Sequence, residues 1–126
     1  MMNSVLITSR GHIGFGQVPK PTVASLKPNQ LLIKVEACAL NPSDILFMRG
    51  KYNINLKYPY TPGWEGSGTV ISSGSGGLLS KFFVGKRVAF MKQTELGTYK
   101  IGGAMAEYVV TDSRSVIPLA DEFTFE

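Results

Sequence analysis

Side chains that could ligate a metal or act as strong nucleophiles are scarce in this chain of 126 residues. Cys38 is the only cysteine and His12 the only histidine, so neither an internal disulfide nor a His/Cys metal cluster can form. Cys38 ends an alternating apolar pattern, which favours a small, buried or half-buried hydrophobic residue over a reactive thiol. His12 stands alone beside Gly11 and indicates no chemistry. The cysteine usage fits a reducing compartment.

A short polar run, Asn41-Pro42-Ser43-Asp44, predicts the start of a helix. Asn41 suits the N-cap, and Pro42 suits the first helical position. Asp44 lies in the first turn, where the helix dipole stabilises a carboxylate. Gly50 predicts the end of the helix. Asn41 and Asp44 therefore have a structural explanation before any chemical role is considered.

The glycine-rich run Gly74-Ser75-Gly76-Gly77 imitates a dinucleotide-binding fingerprint without meeting its requirements. The third glycine is misplaced, and Leu78-Leu79-Ser80-Lys81 is too short for the helix of a βαβ unit. We therefore expect a surface loop at this place.

Charge and hydropathy argue against several classes of function. Thirteen basic and nine acidic residues give a formal charge of +4. The basic residues are scattered, whereas nucleic-acid binding needs a basic face with aromatic stacking platforms. No apolar run approaches the roughly 18 residues that cross a bilayer, and the N-terminus does not read as a secretory signal. We expect no nucleic-acid partner, no membrane partner and no secretion.

Short strand-like segments with frequent glycine and proline predict one mostly β domain, a small barrel or sandwich with one or two short helices. Between Leu32 and Cys38, apolar residues alternate with Lys34 and Glu36, as in a half-buried strand. Asp121-Glu122-Phe123 predicts the start of a helix. Other strands are expected at Val5–Ile7, Gly68–Ile71, Arg87–Phe90, Ala106–Val110 and Val116–Pro118.

Four segments in a fixed order span most of the chain: Val35–Asp44, Tyr60–Gly68, Val84–Phe90 and Gly103–Val110. Together they resemble the medium-chain dehydrogenases/reductases, and in particular the zinc-independent quinone oxidoreductases and 2-enoyl thioester reductases. The resemblance implies that residues 1–126 form the substrate-side domain of such an enzyme. It also implies a GroES-like, partly open β-barrel as the fold.

The sequence departs from the zinc-dependent members of this family at both ligand positions. Those members place a cysteine before a Ser/Thr-Asp pair and a histidine in a Gly-His-Glu-Gly turn, where this chain has Asn41 and Trp64. An indole N–H can only donate a hydrogen bond, and a neutral amide is a poor zinc ligand. We therefore expect no metal. Glu65, which follows Trp64, is expected to be structural and to hold Arg49 or a backbone amide.

The resemblance implies roles for individual residues. Tyr52 matches a tyrosine proposed as proton donor or carbonyl orienter in the mitochondrial-type enoyl thioester reductases, a task that suits a phenol. Asn41 matches an asparagine that faces the nicotinamide region, so a catalytic and cofactor-binding role is expected. Trp64, Asp44 and Met105 are expected to line the substrate pocket. Packing for Tyr52 and Trp64, capping for Asn41, and stabilisation of a first-turn carboxylate by the helix dipole for Asp44 remain the structural alternatives.

The reaction implied is hydride transfer from NADPH to a small conjugated acceptor, which is a quinone, an enone or an enoyl thioester. In this family the cofactor lies between the barrel and a Rossmann domain. Residues 1–126 contain no such domain, so we expect the chain alone to be inactive and monomeric, whereas full-length members often dimerise. The expected compartment is the cytoplasm or the mitochondrion. The alternative is a stand-alone GroES-like barrel that acts as a binding or interaction module without catalysis.

Overall fold

Strands dominate the computed structural model, which describes residues 1–51, 57–91 and 103–126. A five-stranded antiparallel sheet in the order β6-β3-β4-β5-β7 forms the body of the domain, and β1 and β2 form a separate antiparallel hairpin. The strands are β1 (Met2–Ser9), β2 (His12–Val18), β3 (Gln30–Cys38), β4 (Glu65–Ser73), β5 (Arg87–Met91), β6 (Tyr108–Asp112) and β7 (Val116–Pro118), and the α-helices are α1 (Pro42–Met48) and α2 (Leu78–Phe82).

The short link between β6 and β7 requires the five-stranded sheet to curl. These strands occupy opposite edges of the sheet, yet only Ser113–Ser115 separate them in sequence. Two edges of a flat five-stranded sheet lie about 19 Å apart, whereas the chain from Asp112 to Val116 reaches at most about 14 Å. The sheet therefore bends toward itself, and among the described residues no ladder closes it. This geometry confirms the predicted GroES-like, partly open barrel.

The main core lies on the curled sheet and draws on all five of its strands. In β3, Lys34 and Glu36 are exposed while Ile33 is fully buried, which confirms the predicted alternation. Leu32 is buried as well, next to a register shift between Leu32 and Ile33. The core cluster consists of Leu31, Ile33, Val70, Phe83, Val88, Phe90, Ala104, Val109 and Val116.

Helix α1 begins and ends where the local signals predict. Asn41 is its N-cap in extended conformation and Pro42 its first residue. Gly50 adopts φ +66°, the left-handed region that glycine tolerates best, directly after the helix. A second, smaller core attaches α1 to the hairpin and consists of Ile7, Phe47, Met48 and Tyr60.

Three segments differ from the sequence-based predictions. Leu78–Phe82 forms a short helix where a loop was expected, because the fully buried Ser80 hydroxyl donates to the Pro28 carbonyl at 2.8 Å and fixes this turn. Asp121 and Glu122 lie in a turn rather than in the predicted helix, and the Phe123 N–H donates to the Ala120 carbonyl at 3.1 Å. β6 begins at Tyr108, because Ala106 bridges to Ser4 of the hairpin instead.

The helices of the described part are short. The longer of the two, α1, has 7 residues. Within residues 1–51, 57–91 and 103–126, no helix has the length and apolar character needed to cross a membrane.

Candidate functional site

Of the residues with predicted roles, Tyr52 lies outside the described residues. Asn41 and Asp44 lie at the N-terminus of α1, Trp64 directly precedes β4, and Met105 lies between Ala104 and the start of β6. The structure therefore places four of the five predicted site residues, and the role of Tyr52 stays a prediction.

Asn41 is held at both its backbone and its side chain. Its backbone N–H donates to Oδ2 of Asp44 at 2.8 Å, so the carboxylate three residues later caps the start of α1. Its side-chain Nδ2 donates to Oε1 of Glu65, also at 2.8 Å. Asn41 is half-buried. The asparagine is thus the N-cap predicted from sequence and, at the same time, a side chain fixed to the neighbouring strand.

Asp44 is a fully buried carboxylate, and only one of its oxygens has a hydrogen-bond partner. Oδ2 accepts from the Asn41 backbone, whereas Oδ1 has no partner among the described residues. Burying an unsatisfied carboxylate oxygen is unfavourable. The first contact caps the start of α1, which the sequence analysis did not predict for Asp44, and its predicted place in a substrate pocket stays a prediction.

Glu65 bonds to a different partner from those expected. Arg49 or a backbone amide was predicted, and the structure instead places the Asn41 amide on the Glu65 carboxylate. The sequence shows an acid in a turn that the family uses to support a ligand. It does not show the partner of this acid, because Asn41 is 24 residues away. Glu65 is half-buried, and it is the one residue of this site that the sequence analysis assigned to structure alone.

Trp64 and Met105 pack against the smaller core that holds α1. The Trp64 ring meets the buried Phe47 ring edge-on, with centroids 5.5 Å apart. Phe47 also meets Tyr60 at 5.2 Å, and the Tyr60 hydroxyl donates to the Phe47 carbonyl at 3.3 Å. Trp64 and Met105 are half-buried rather than exposed. An aromatic cluster therefore supports the helix that carries Asn41 and Asp44.

Cys38 reports the electrostatic character of this region. Burial, followed by the nearby Asp44 and Glu65 carboxylates, raises the pKa of Cys38 from 9.0 to about 11. Its thiol lies 3.5 Å from the Ala39 carbonyl oxygen. The thiol is therefore neutral at physiological pH, as the prediction of an unreactive residue requires, and the two carboxylates give their surroundings a negative potential.

Glu65 lines two surface grooves. The larger, about 560 Å³, lies between Ala37–Ala39, Glu65–Ser67 and the segment 123–126. The smaller, about 400 Å³, lies between Glu65, residues 89–91 and residues 114–117. Neither groove includes Trp64, Asp44 or Met105. The substrate pocket predicted around those three residues therefore stays a prediction.

The comparison with family models identifies the domain. Residues 27–121 match the alcohol dehydrogenase GroES-like domain. The chain therefore belongs to this family, the N-terminal domain of the medium-chain dehydrogenases/reductases, as the four sequence segments predict.

Individual relatives agree with this assignment. A quinone oxidoreductase of Sus scrofa is 36% identical over 100 residues, which cover 79% of this chain and 28% of that protein. A trans-enoyl reductase of Aspergillus flavipes is 33% identical over 116 residues, which cover 90% of this chain and 32% of that protein. The solved structure of a Mesorhizobium loti protein named as an NADPH:quinone reductase has a TM-score of 0.79 and 31% identity, over 98% of this chain and 38% of that one. This chain spans about a third of the length of these relatives.

Proposed function

We propose that this chain is the substrate-side domain of a zinc-independent oxidoreductase that transfers a hydride from NADPH to a quinone, a conjugated enone or an enoyl thioester. The observation that carries the proposal is the bonding of Asn41, whose amide nitrogen donates to Glu65 at a position where zinc-dependent relatives hold a cysteine ligand. The names of the two relatives, a quinone oxidoreductase and a trans-enoyl reductase, support this class of acceptor.

The donor set around Asn41 does not fit a catalytic zinc. Such a site takes three protein ligands that are thiolates, imidazoles or carboxylates. Asn41 already uses its amide nitrogen as a donor, and the Trp64 indole can only donate. The described residues hold no group of three or more His, Cys, Asp or Glu side chains able to bind a metal, so we propose no step through zinc.

Asn41 is the residue of this chain that we propose for contact with the nicotinamide region. One N–H of its amide is bound to Glu65, and its side chain faces the Asp44 backbone N–H in a capping box, which leaves the second N–H and one lone pair of the amide oxygen for a polar ligand. A bound nicotinamide cofactor would supply the hydride. The carboxylates of Asp44 and Glu65, which also raise the pKa of Cys38, would favour positive charge at this place.

The acceptor requires a proton in addition to the hydride. A hydride brings two electrons and one hydrogen, so negative charge collects on the acceptor oxygen until a proton is added. We propose Tyr52 as the donor or orienter, on the resemblance to the enoyl thioester reductases. We propose Trp64 and Met105 as apolar walls beside α1, with Asp44 at the end of the pocket nearest Asn41.

The rest of the proposal concerns organisation. We propose that residues 1–126 form one domain, that a Rossmann domain outside this chain binds most of the cofactor, and that the chain alone is a monomer without activity. Dimerisation would then belong to the full-length protein. A soluble location in the cytoplasm or the mitochondrion, without nucleic-acid or membrane partners, completes the proposal.

The test compares the full open reading frame that encodes this chain with residues 1–126 alone. NADPH oxidation is followed by the near-ultraviolet absorbance of the cofactor, with a quinone and with a 2-enoyl thioester, before and after treatment with a metal chelator. We expect turnover by the full protein only, unchanged by the chelator. A reading frame that encodes only this barrel and reduces neither acceptor would favour the binding-module alternative.

A further inference from the structure

We infer that Glu65 is a positioning residue: its carboxylate orients the Asn41 amide toward the cofactor, in addition to holding the fold together. This inference rests on the proposed function, because it concerns how Asn41 meets the nicotinamide region. It assigns to Glu65 a role that neither its place in the turn nor the expected contact with Arg49 suggests.

The contact removes an ambiguity in the Asn41 side chain. An ionised carboxylate can only accept hydrogen bonds, so the end of the amide that faces Glu65 must be Nδ2, at 2.8 Å from Oε1. The amide oxygen therefore lies on the opposite edge of the group. The capping contact of the same side chain with the Asp44 backbone N–H favours the same orientation, and the Glu65 carboxylate adds the charged partner that fixes the donor end. Glu65 thus determines which end of Asn41 a ligand meets.

The charge on Glu65 also strengthens the acceptor. A hydrogen bond to an ionised group is roughly twice as strong as one between neutral groups, and linked hydrogen bonds polarise one another. Donation from Nδ2 to the carboxylate of Glu65 increases the electron density on the amide oxygen of Asn41. That oxygen becomes a better acceptor for a ligand N–H or O–H, such as a carboxamide or a ribose hydroxyl.

Both partners are anchored through the backbone, so the contact is rigid. Glu65 begins β4 and pairs with Met91 of β5, and its carbonyl accepts from the Ala39 N–H at 3.2 Å. Asn41 is fixed by the Asp44 carboxylate on its own N–H. Because these bonds already hold the two backbone segments in place, the side-chain bond between Asn41 and Glu65 can orient the Asn41 amide.

A merely structural role makes different predictions from a positioning role. If Glu65 only stabilised the fold, its replacement would lower the melting temperature and leave ligand binding per folded molecule unchanged. If it positions Asn41, its replacement weakens NADPH binding only while the Asn41 amide is present. The distinction can therefore be measured with a double-mutant cycle.

The experiment uses the full open reading frame and follows the fluorescence of NADPH on binding, together with KM and kcat. Glu65→Leu is expected to weaken NADPH binding about tenfold and to raise its KM more than it lowers kcat. Glu65→Gln, which keeps an acceptor for Nδ2, is expected to stay within about threefold of wild type. In an Asn41→Ala background, Glu65→Leu should change binding less than about twofold.

Glu107→Leu is the matched control, because it breaks a second Asn–Glu contact in the same chain: the Glu107 carboxylate accepts from the backbone and side chain of Asn3. This variant should bind NADPH as wild type does. Melting temperatures identify variants that fail to fold. If Glu65→Leu fails to fold, Glu65→Ala is used in its place.

Each outcome has one meaning. An equal loss of binding from Glu65→Leu with and without Asn41, or no loss at all, would overturn the inference and leave the proposed function standing. Failure of both Glu65→Leu and Glu65→Ala to fold would make Glu65 a folding residue and also overturn it. A wild-type protein that neither binds nor oxidises NADPH would overturn the proposed function and this inference together.

Discussion

The Thr111 hydroxyl in β6 donates to the carbonyl oxygen of Met91 in β5 at 2.9 Å. These strands are not neighbours in the sheet, because β3 and β4 lie between them. The contact is possible only since the sheet curls and brings its edge strand β6 back toward β5. It partly substitutes for the ladder that would close a complete barrel, and it lies on the β5 end whose Met91 pairs with Glu65.

The bond between Thr111 and Met91 is expected to contribute measurably to stability. Thr111→Val keeps the buried volume but removes the hydroxyl donor, so the Met91 carbonyl loses this hydrogen bond. We expect the free energy of unfolding to fall by about 1–2 kcal/mol, measured by urea denaturation. Thr124→Val, at an exposed residue near the C-terminus, is the control and should change stability little. An equal effect in both variants would show that the barrel does not depend on this closure.

Gly63 occupies a position where both backbone conformation and space exclude a side chain. It adopts φ +105°, and a Cβ atom there would lie 2.8 Å from the Met105 backbone nitrogen. Gly63→Ala should therefore cost more than about 2 kcal/mol, the upper range for left-handed strain alone. The control is Gly76→Ala, because Gly76 has φ +89° with open space around its Cβ position. Equal losses in thermal or urea unfolding would argue that the close approach to Met105 is unimportant.

Local signals predicted the elements that depend on neighbouring residues, and they failed where the partner is distant. The N-cap at Asn41 and the stop at Gly50 follow from residue type, and both are confirmed. α2 was missed because the Pro28 carbonyl that holds Ser80 lies 52 residues away. The sequence predicted the start of β6 two residues too early, because Ala106 forms a β-bridge with Ser4 of the hairpin. Such long-range bonds leave no local pattern.

The candidate site shows the same limit. Asn41, Asp44 and Glu65 could each be selected from the sequence, but the bond between Asn41 and Glu65 depends on the register of β3 and β4, in which Cys38 pairs with Gly66. A shift of that register would separate Asn41 from Glu65. The family resemblance supplied the roles of these residues, whereas only the fold supplied the contact between them.

The pKa of Cys38 depends on the burial of its thiol and on the negative potential at the site. Burial and the two carboxylates raise this pKa from 9.0 to about 11, so the thiolate needed for alkylation is scarce at pH 8. We expect iodoacetamide to react roughly a hundredfold more slowly with the folded chain than with the urea-unfolded chain at that pH. The rate should rise with pH until it levels near pH 11.

Removing either carboxylate should lower the pKa of Cys38. Asp44→Asn is expected to have the larger effect and Glu65→Gln the smaller, which is the order in which these groups raise it. The pKa of Cys38 is higher in the folded chain than in the unfolded chain. The Cys38 thiol therefore contributes to the free energy of unfolding in full below pH 9, and this contribution is lost as the pH rises toward 11. Glu107→Gln is the control. If neither Asp44→Asn nor Glu65→Gln changed the pKa of Cys38, the electrostatic account of this region would be refuted.

Tyr52 is the remaining test of the chemistry, since its role rests on the resemblance alone. In the full open reading frame, Tyr52→Phe removes only the hydroxyl and should lower turnover of a 2-enoyl thioester by about 100-fold. NADPH binding should stay unchanged, because the lost group serves the acceptor. Tyr58→Phe is the control, since Tyr58 is a partly exposed tyrosine that packs against Tyr60. Full activity of Tyr52→Phe would assign proton delivery to another group or to solvent, and an equal loss in Tyr58→Phe would indicate a disturbed aromatic cluster instead.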